Sequence, residues 1–122
     1  MKLVITSLGE ELDSPVDQRF GRARYFIVFD TETGEWEPRG NRQNLQAVQG
    51  AGIQAAQTAS ELGAEAVITG HCGPKAFRTL TAAGIAVYQG AEGTVQKAVD
   101  AWKAEKLTRA DGADVDSGYG SV

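Results

Sequence analysis

The sequence predicts a single α/β domain built on a five-stranded mixed sheet. Three observations carry this. Strand signals crowd the first forty residues, helical periodicity begins only near residue 50, and from there short apolar runs alternate with amphipathic segments. At 122 residues folding hides about two-thirds of the unfolded chain's surface, enough for one core.

The elements follow in order. Lys2–Ser7 carries Leu3, Val4 and Ile5 in a row and reads as a short buried strand. Residues 8–24 form a long polar loop with Gly9, Pro15 and Gly21. Tyr25, Phe26, Ile27, Val28 and Phe29 are all aromatic or β-branched, the strongest strand signal in the chain. A turn over residues 30–34 and a return strand over 35–39, ended by Pro38 or Gly40, complete a hairpin. Residues 50–62 read as a helix: Val48 just before it and Ala51, Ala55, Ala59 and Leu62 within it step by three and four along one face, and Gly63 suits the position just past its end. Residues 66–69 form a second buried strand. Pro74 opens a helix through about Ala83, with Ala76, Phe77, Leu80 and Ala83 as its apolar stripe. Residues 85–88 are the last strand. Thr94 caps a final helix bearing Val95, Ala98, Val99 and Trp102. The domain is expected to span residues 1–108, with a polar, glycine-rich mobile tail over 109–122.

The order βββαβαβα makes the first three strands an antiparallel meander, with strand 2 antiparallel to its neighbours. The later strands arrive through right-handed helical crossovers, parallel to the first. Sheet order 3-2-1-4-5 follows, the topology of the ribonuclease-H-like motif.

Composition limits the function. Acids outnumber bases 16 to 12, for a net charge of −4, so broad nucleic-acid binding through phosphate neutralisation is not expected. No apolar run approaches the ~18 residues that a bilayer span needs. The amino terminus has no signal-peptide pattern, and a lone cysteine excludes an internal disulfide framework, so a reducing cytoplasm is the expected location. Two-metal nuclease chemistry needs converging carboxylates, but strands 1 and 4 carry none. One Cys and one His cannot fill a tetrahedral zinc site. Neither a phosphate-binding P-loop nor a G-x-G-x-x-G dinucleotide motif is present.

Ligands of open α/β sheets gather at the carboxyl ends of strands where the chain departs in opposite directions. Here that place lies between strands 1 and 4. One loop there carries Arg19, Arg22 and Arg24 inside residues 18–29, a stretch without an acid. The other reads Gly70-His71-Cys72-Gly73-Pro74-Lys75 and holds the only histidine and the only cysteine. A helix starting at Pro74 presents unpaired N–H groups and a positive dipole end, which favour an anion. Thiolate and imidazole are suitable ligands for a metal, so Cys72 and His71 are the candidate metal ligands. An anionic iron–sulfur cluster, arriving with most of its own coordination, fits these groups. The plain structural roles are a buried small apolar cysteine, a satisfied histidine, arginines salt-bridged to the surplus acids and glycines that merely turn the chain.

Five pieces in order carry a family resemblance: Phe20-Gly21-Arg22-Ala23 before the strand from Tyr25; Gly50-Ala51-Gly52-Ile53-Gln54-Ala55-Ala56; Ile68-Thr69-Gly70-His71-Cys72-Gly73-Pro74-Lys75-Ala76; Ala83-Gly84-Ile85; and Gly93-Thr94-Val95. Over about residues 1–107 the chain resembles the dinitrogenase iron–molybdenum cofactor biosynthesis family. The resemblance implies the ribonuclease-H-like fold. It also implies transient binding of an iron–sulfur cluster or iron–molybdenum cofactor precursor, for delivery between donor and acceptor proteins rather than for catalysis. Carried onto this chain, the binding residues are Phe20, Gly21, Arg22, Gly70, His71, Cys72, Gly73, Pro74 and Lys75; Arg19 or Arg24 joins Arg22 as a charge that balances the anion. Two other readings stand beside it. One is an enzyme or sensor for a small anionic metabolite with Cys72 as a reactive thiol. The other is an interaction module using Trp36 and the tail with Tyr119.

Overall fold

The structure, a computed structural model, describes residues 1–41 and 50–112. Val48 on the expected helix face and Tyr119 of the tail lie outside them. The elements are β1 (Lys2–Ser7), β2 (Tyr25–Asp30), β3 (Trp36–Gly40), α1 (Ala51–Glu61), β4 (Ala66–Ile68), α2 (Pro74–Ala82), β5 (Ala86–Tyr88) and α3 (Val95–Lys103). They form one sheet in the order β3-β2-β1-β4-β5. β2 is antiparallel to both β1 and β3, while β4 is parallel to both β1 and β5. The expected topology is therefore the observed one.

Both faces of the sheet are covered, which explains why the central strands read as unbroken apolar runs. Val4, Phe26, Val28, Val67 and Val87 face α1 and α2, meeting Ala55, Ala56, Ala59, Ala76 and Leu80. Leu3, Ile5, Ile27, Phe29, Ala66 and Ile68 point the other way, toward Val95, Ala98 and Val99 of α3. The alanine face of α1 lets it approach α2 closely: a Cβ at Gly52 would lie 3.1 Å from the Ala76 Cβ. At the β2–β3 turn the Asp30 carboxylate accepts the amides of Glu32 (2.8 Å) and Thr33 (3.4 Å). The first of these bonds chiefly holds its pKa below the ordinary value.

Residues 8–24 are not the loose polar loop that their composition suggests. Val16, Phe20 and Ala23 are buried. The backbone is fastened to the start of α3 by Val16 N to Gly93 O (2.9 Å), Val95 N to Ser14 O (2.9 Å) and Gln96 N to Leu12 O (2.8 Å). At the opposite sheet edge Arg109 bridges Tyr88, and the Ala110 amide donates to the Val87 carbonyl at 2.7 Å. Ordered pairing thus continues two residues into the segment expected to be the tail.

The three helices among the described residues end in the same way. The residue after the C-cap is left-handed, its N–H bonds three residues back, and the next N–H bonds five back. Gly63 (φ +82°) and Gly84 (φ +76°) serve α1 and α2, with Ala64 N to Ala59 O (3.1 Å) and Ile85 N to Leu80 O (2.9 Å). α3 places Glu105 there at φ +59°, with Lys106 N to Ala101 O at 2.8 Å. A side chain in this conformation costs about 1 kcal/mol. Glu105→Gly is therefore expected to stabilise the fold by roughly that amount, read as a rise of a few degrees in Tm; an unchanged or lowered Tm contradicts the strain at this position.

Candidate functional site

β1 lies between an antiparallel and a parallel neighbour, so the chain leaves its carboxyl end and that of β4 by divergent routes. Buried hydroxyls join the two strand ends. The Thr6 Oγ1 lies 2.7 Å from the Asp17 carbonyl and 2.8 Å from Thr69 Oγ1. With one proton to give, Thr6 donates to the carbonyl and accepts from Thr69. The Asp17 amide in turn donates to the Thr6 carbonyl at 2.9 Å. The second loop is thereby anchored to β1 just before the arginines begin.

From that anchor, residues 18–20 run beside residues 70–72 as a short parallel ribbon. The His71 amide donates to the Gln18 carbonyl (2.8 Å), the Phe20 amide donates to the His71 carbonyl (3.1 Å), and Arg19 bridges His71. Phe20 is buried and stacks on Phe26, with ring centroids 6.0 Å apart. On its other side the second segment is held by Gly90 N to Gly70 O (2.8 Å) and Gln89 Nε2 to Cys72 O (3.4 Å). Gly70 is required by the close approach of the loops, since a Cβ there would come within 2.7 Å of the Gln18 Cα.

Beside this ribbon opens a cleft of about 400 Å³, lined by Leu8, Asp17, Arg19, Arg22, Arg24, Tyr25, Gly40 and Asn41. Three guanidinium groups thus share one opening with one carboxylate. Asp17 is 5% exposed, and its oxygens accept the backbone amides of Arg19 (3.2 Å) and Arg24 (3.1 Å). Asn41 closes the far wall: its amide donates to the Arg24 carbonyl (3.0 Å) and its Nδ2 to the Ala23 carbonyl (2.8 Å). Among the described residues the ion pairs join the amino terminus to Glu32 and Glu65, and Arg39 to Glu37. Arg19 and Arg24 belong to none of them. Arg19 and Arg24 are therefore not consumed by the surplus acids among the described residues, and with Arg22 they place positive charge along the cleft of a chain of net charge −4.

The expected site residues separate into two groups. Arg19, Arg22 and Arg24 line the cleft. Phe20 and Gly21 are buried beneath it and shape the loop. Gly70 is buried at the ribbon, and His71 is half-buried beside Arg19. Cys72 does not open into the cleft. It is fully buried, within the cluster that includes Val4, Phe20, Phe26, Ala76 and Leu80. Pairing with residues 18–20 makes this stretch extended, and neighbours on extended chain face opposite ways. Gly73 is the N-cap of α2 and Pro74 its first residue; Lys75 is exposed in the first turn. None of residues 70–75 lines the cleft. Among the described residues no group of three or more His, Cys, Asp or Glu could hold a metal ion.

Asp17, Tyr25, Gly40 and Asn41 were not expected at the site. The hairpin register was the available signal, because pairing Tyr25 with Gly40 sets Asn41 against Arg24. The ribbon itself yields a test. Gly70→Ala should cost about 1–3 kcal/mol through steric overlap with residue 18, whereas Gly40→Ala, with nothing within 4 Å of the new Cβ, should be nearly neutral in denaturant unfolding. Equal effects would contradict the close approach.

The comparisons agree with this architecture. The chain matches the family described as dinitrogenase iron-molybdenum cofactor over residues 1–105. It is similar to the apo form of the orange protein from Desulfovibrio gigas, at 41% identity over 93% of this chain and 96% of that one, with a TM-score of 0.92. A Thermotoga protein provisionally described as NifB is 40% identical over 88% of this chain and 91% of its own, with a TM-score of 0.78. A Methanocaldococcus jannaschii protein provisionally described as a dinitrogenase shares the fold at 13% identity, covering 92% of this chain and 96% of that one, with a TM-score of 0.66. No protein of curated function matches. With the family pattern spanning nearly all of the described fold, including both loops of the site, the chain belongs to the dinitrogenase iron-molybdenum cofactor family.

Proposed function

We propose that this protein binds a small anionic metallocluster, an iron–sulfur cluster or iron–molybdenum cofactor precursor, and carries it between donor and acceptor proteins without catalysing a reaction. The observation that carries this reading is the cleft of about 400 Å³ lined by Arg19, Arg22 and Arg24. Family membership and the likeness to the orange protein and to a NifB-type protein support it. No helix among the described residues is long and apolar enough to cross a membrane, and a cytoplasmic location is part of the proposal.

The chemistry follows from the lining. Guanidinium groups offer several N–H donors in a fixed fork and stay charged at any physiological pH. Such donors suit the acceptor surface of a sulfide-rich anion. A cargo held by charge and hydrogen bonds can also leave without breaking a metal–ligand bond, as delivery requires. Tyr25 and Leu8 add apolar contact at the margin. His71 is half-buried and Cys72 fully buried, and neither lines the cleft, so the proposed binding uses neither as a metal ligand. The buried thiol of Cys72 also removes the support for a reactive-cysteine enzyme, which needs a partly exposed nucleophile.

Anaerobic reconstitution with ferric and ferrous iron, sulfide and a small thiol that completes the cluster's coordination, followed by absorption spectra and iron analysis, checks the proposal. Wild type is expected to take up a cluster. Each lost charged contact weakens binding by about tenfold, so a double Arg22→Ala, Arg24→Ala variant should retain almost none. Cys72→Ala should load normally. Absence of uptake by wild type, or loss of uptake in Cys72→Ala with none in the arginine variant, would overturn the reading.

A further inference from the structure

We infer that Asp17 is the positioning residue of the arginine cleft, its carboxylate setting the backbone from which Arg19 and Arg24 project. The inference rests on the proposed function and adds the group that organises that site. Three observations carry it. The carboxylate accepts two amides, from Arg19 at 3.2 Å and from Arg24 at 3.1 Å, and so closes the loop from residue 17 to residue 24. Asp17 is itself fastened to β1 through its amide and carbonyl, both bonded to Thr6. It is 5% exposed yet borders the cleft, so its oxygens are committed to the loop rather than to solvent.

The sign of its charge sharpens the argument. A carboxylate beside three guanidinium groups lowers the positive potential that an anion would meet. Judged by charge alone, Asp17 opposes binding, and a neutral residue would serve better. What only a carboxylate supplies is two strong acceptors on one short side chain, facing two amides seven and two residues further on. An asparagine presents one oxygen and one NH2, so one amide would meet a donor in place of an acceptor. Electrostatics and positioning therefore predict opposite outcomes for Asp17→Asn.

The experiment uses the full chain and a preformed, thiolate-capped four-iron–four-sulfur dianion, titrated under argon with wild type, Asp17→Asn and Asp17→Glu. Positioning predicts that Asp17→Asn binds roughly tenfold or more weakly despite its added net positive charge, in the range seen when groups orienting a ligand are removed. It also predicts weaker binding by Asp17→Glu, which keeps the charge and displaces the oxygens. In wild type, the Arg19 and Arg24 amides should be protected from hydrogen exchange, a measurement that needs no variant to fold. Unchanged or tighter binding by Asp17→Asn in a folded variant, or rapid exchange of either amide, overturns the positioning role while leaving the cleft reading intact. Failure of wild type to bind the dianion overturns both.

Discussion

The site depends on one backbone constraint, the parallel pairing of residues 18–20 with residues 70–72 across the divergence of β1 and β4. The two segments are fifty residues apart in sequence, and closing such a loop costs entropy that the two hydrogen bonds alone would hardly offset. Their positions are set instead by what flanks them: Thr6, Thr69 and Asp17 on one side, and Phe20 stacked in the core on the other. A one-residue slip would turn Phe20 out of the core and His71 into it. The register is thus specified by burial, as in any extended segment with one apolar face.

Once the ribbon is fixed, the chemistry divides between its two faces. Cys72 turns into the apolar layer beneath α1 and α2, where a thiol packs as a small hydrophobe. Arg19, Arg22 and Arg24 line the cleft instead. A soft-ligand site and a charge-recognition site were both conceivable from the same residues. The alternation of extended chain decides between them, and it places the positive charges, not the thiol, at the opening. On the proposed reading, this cleft is where a chain of net charge −4 receives an anion.

Much of the fold was legible in the sequence, for identifiable reasons. The run from Tyr25 to Phe29 admits no helical face, the glycines at 63 and 84 mark helix ends, and Thr94 accepts the Lys97 amide at 3.1 Å as its position implied. The loop over residues 8–24 was not legible, because its order comes from backbone bonds to the start of α3 and from isolated buried residues without a period. Asp17 was hidden for the same reason: in composition it is one acid among sixteen. The three arginines were legible as a group because no acid interrupts them. The direction of Cys72 was not, since it turns on whether residues 70–72 are loop or paired strand, and their pairing partner lies far away in the chain.

The most direct test of the account is a proton–nitrogen spectrum of the protein carrying a paramagnetic iron–sulfur cluster. A bound cluster broadens signals from nearby nuclei and spares distant ones. The account predicts loss of the Arg19, Arg22, Arg24, Tyr25 and Asn41 signals, with the indole signals of Trp36 and Trp102 left sharp. Broadening centred on either tryptophan, with the arginine signals intact, would contradict it.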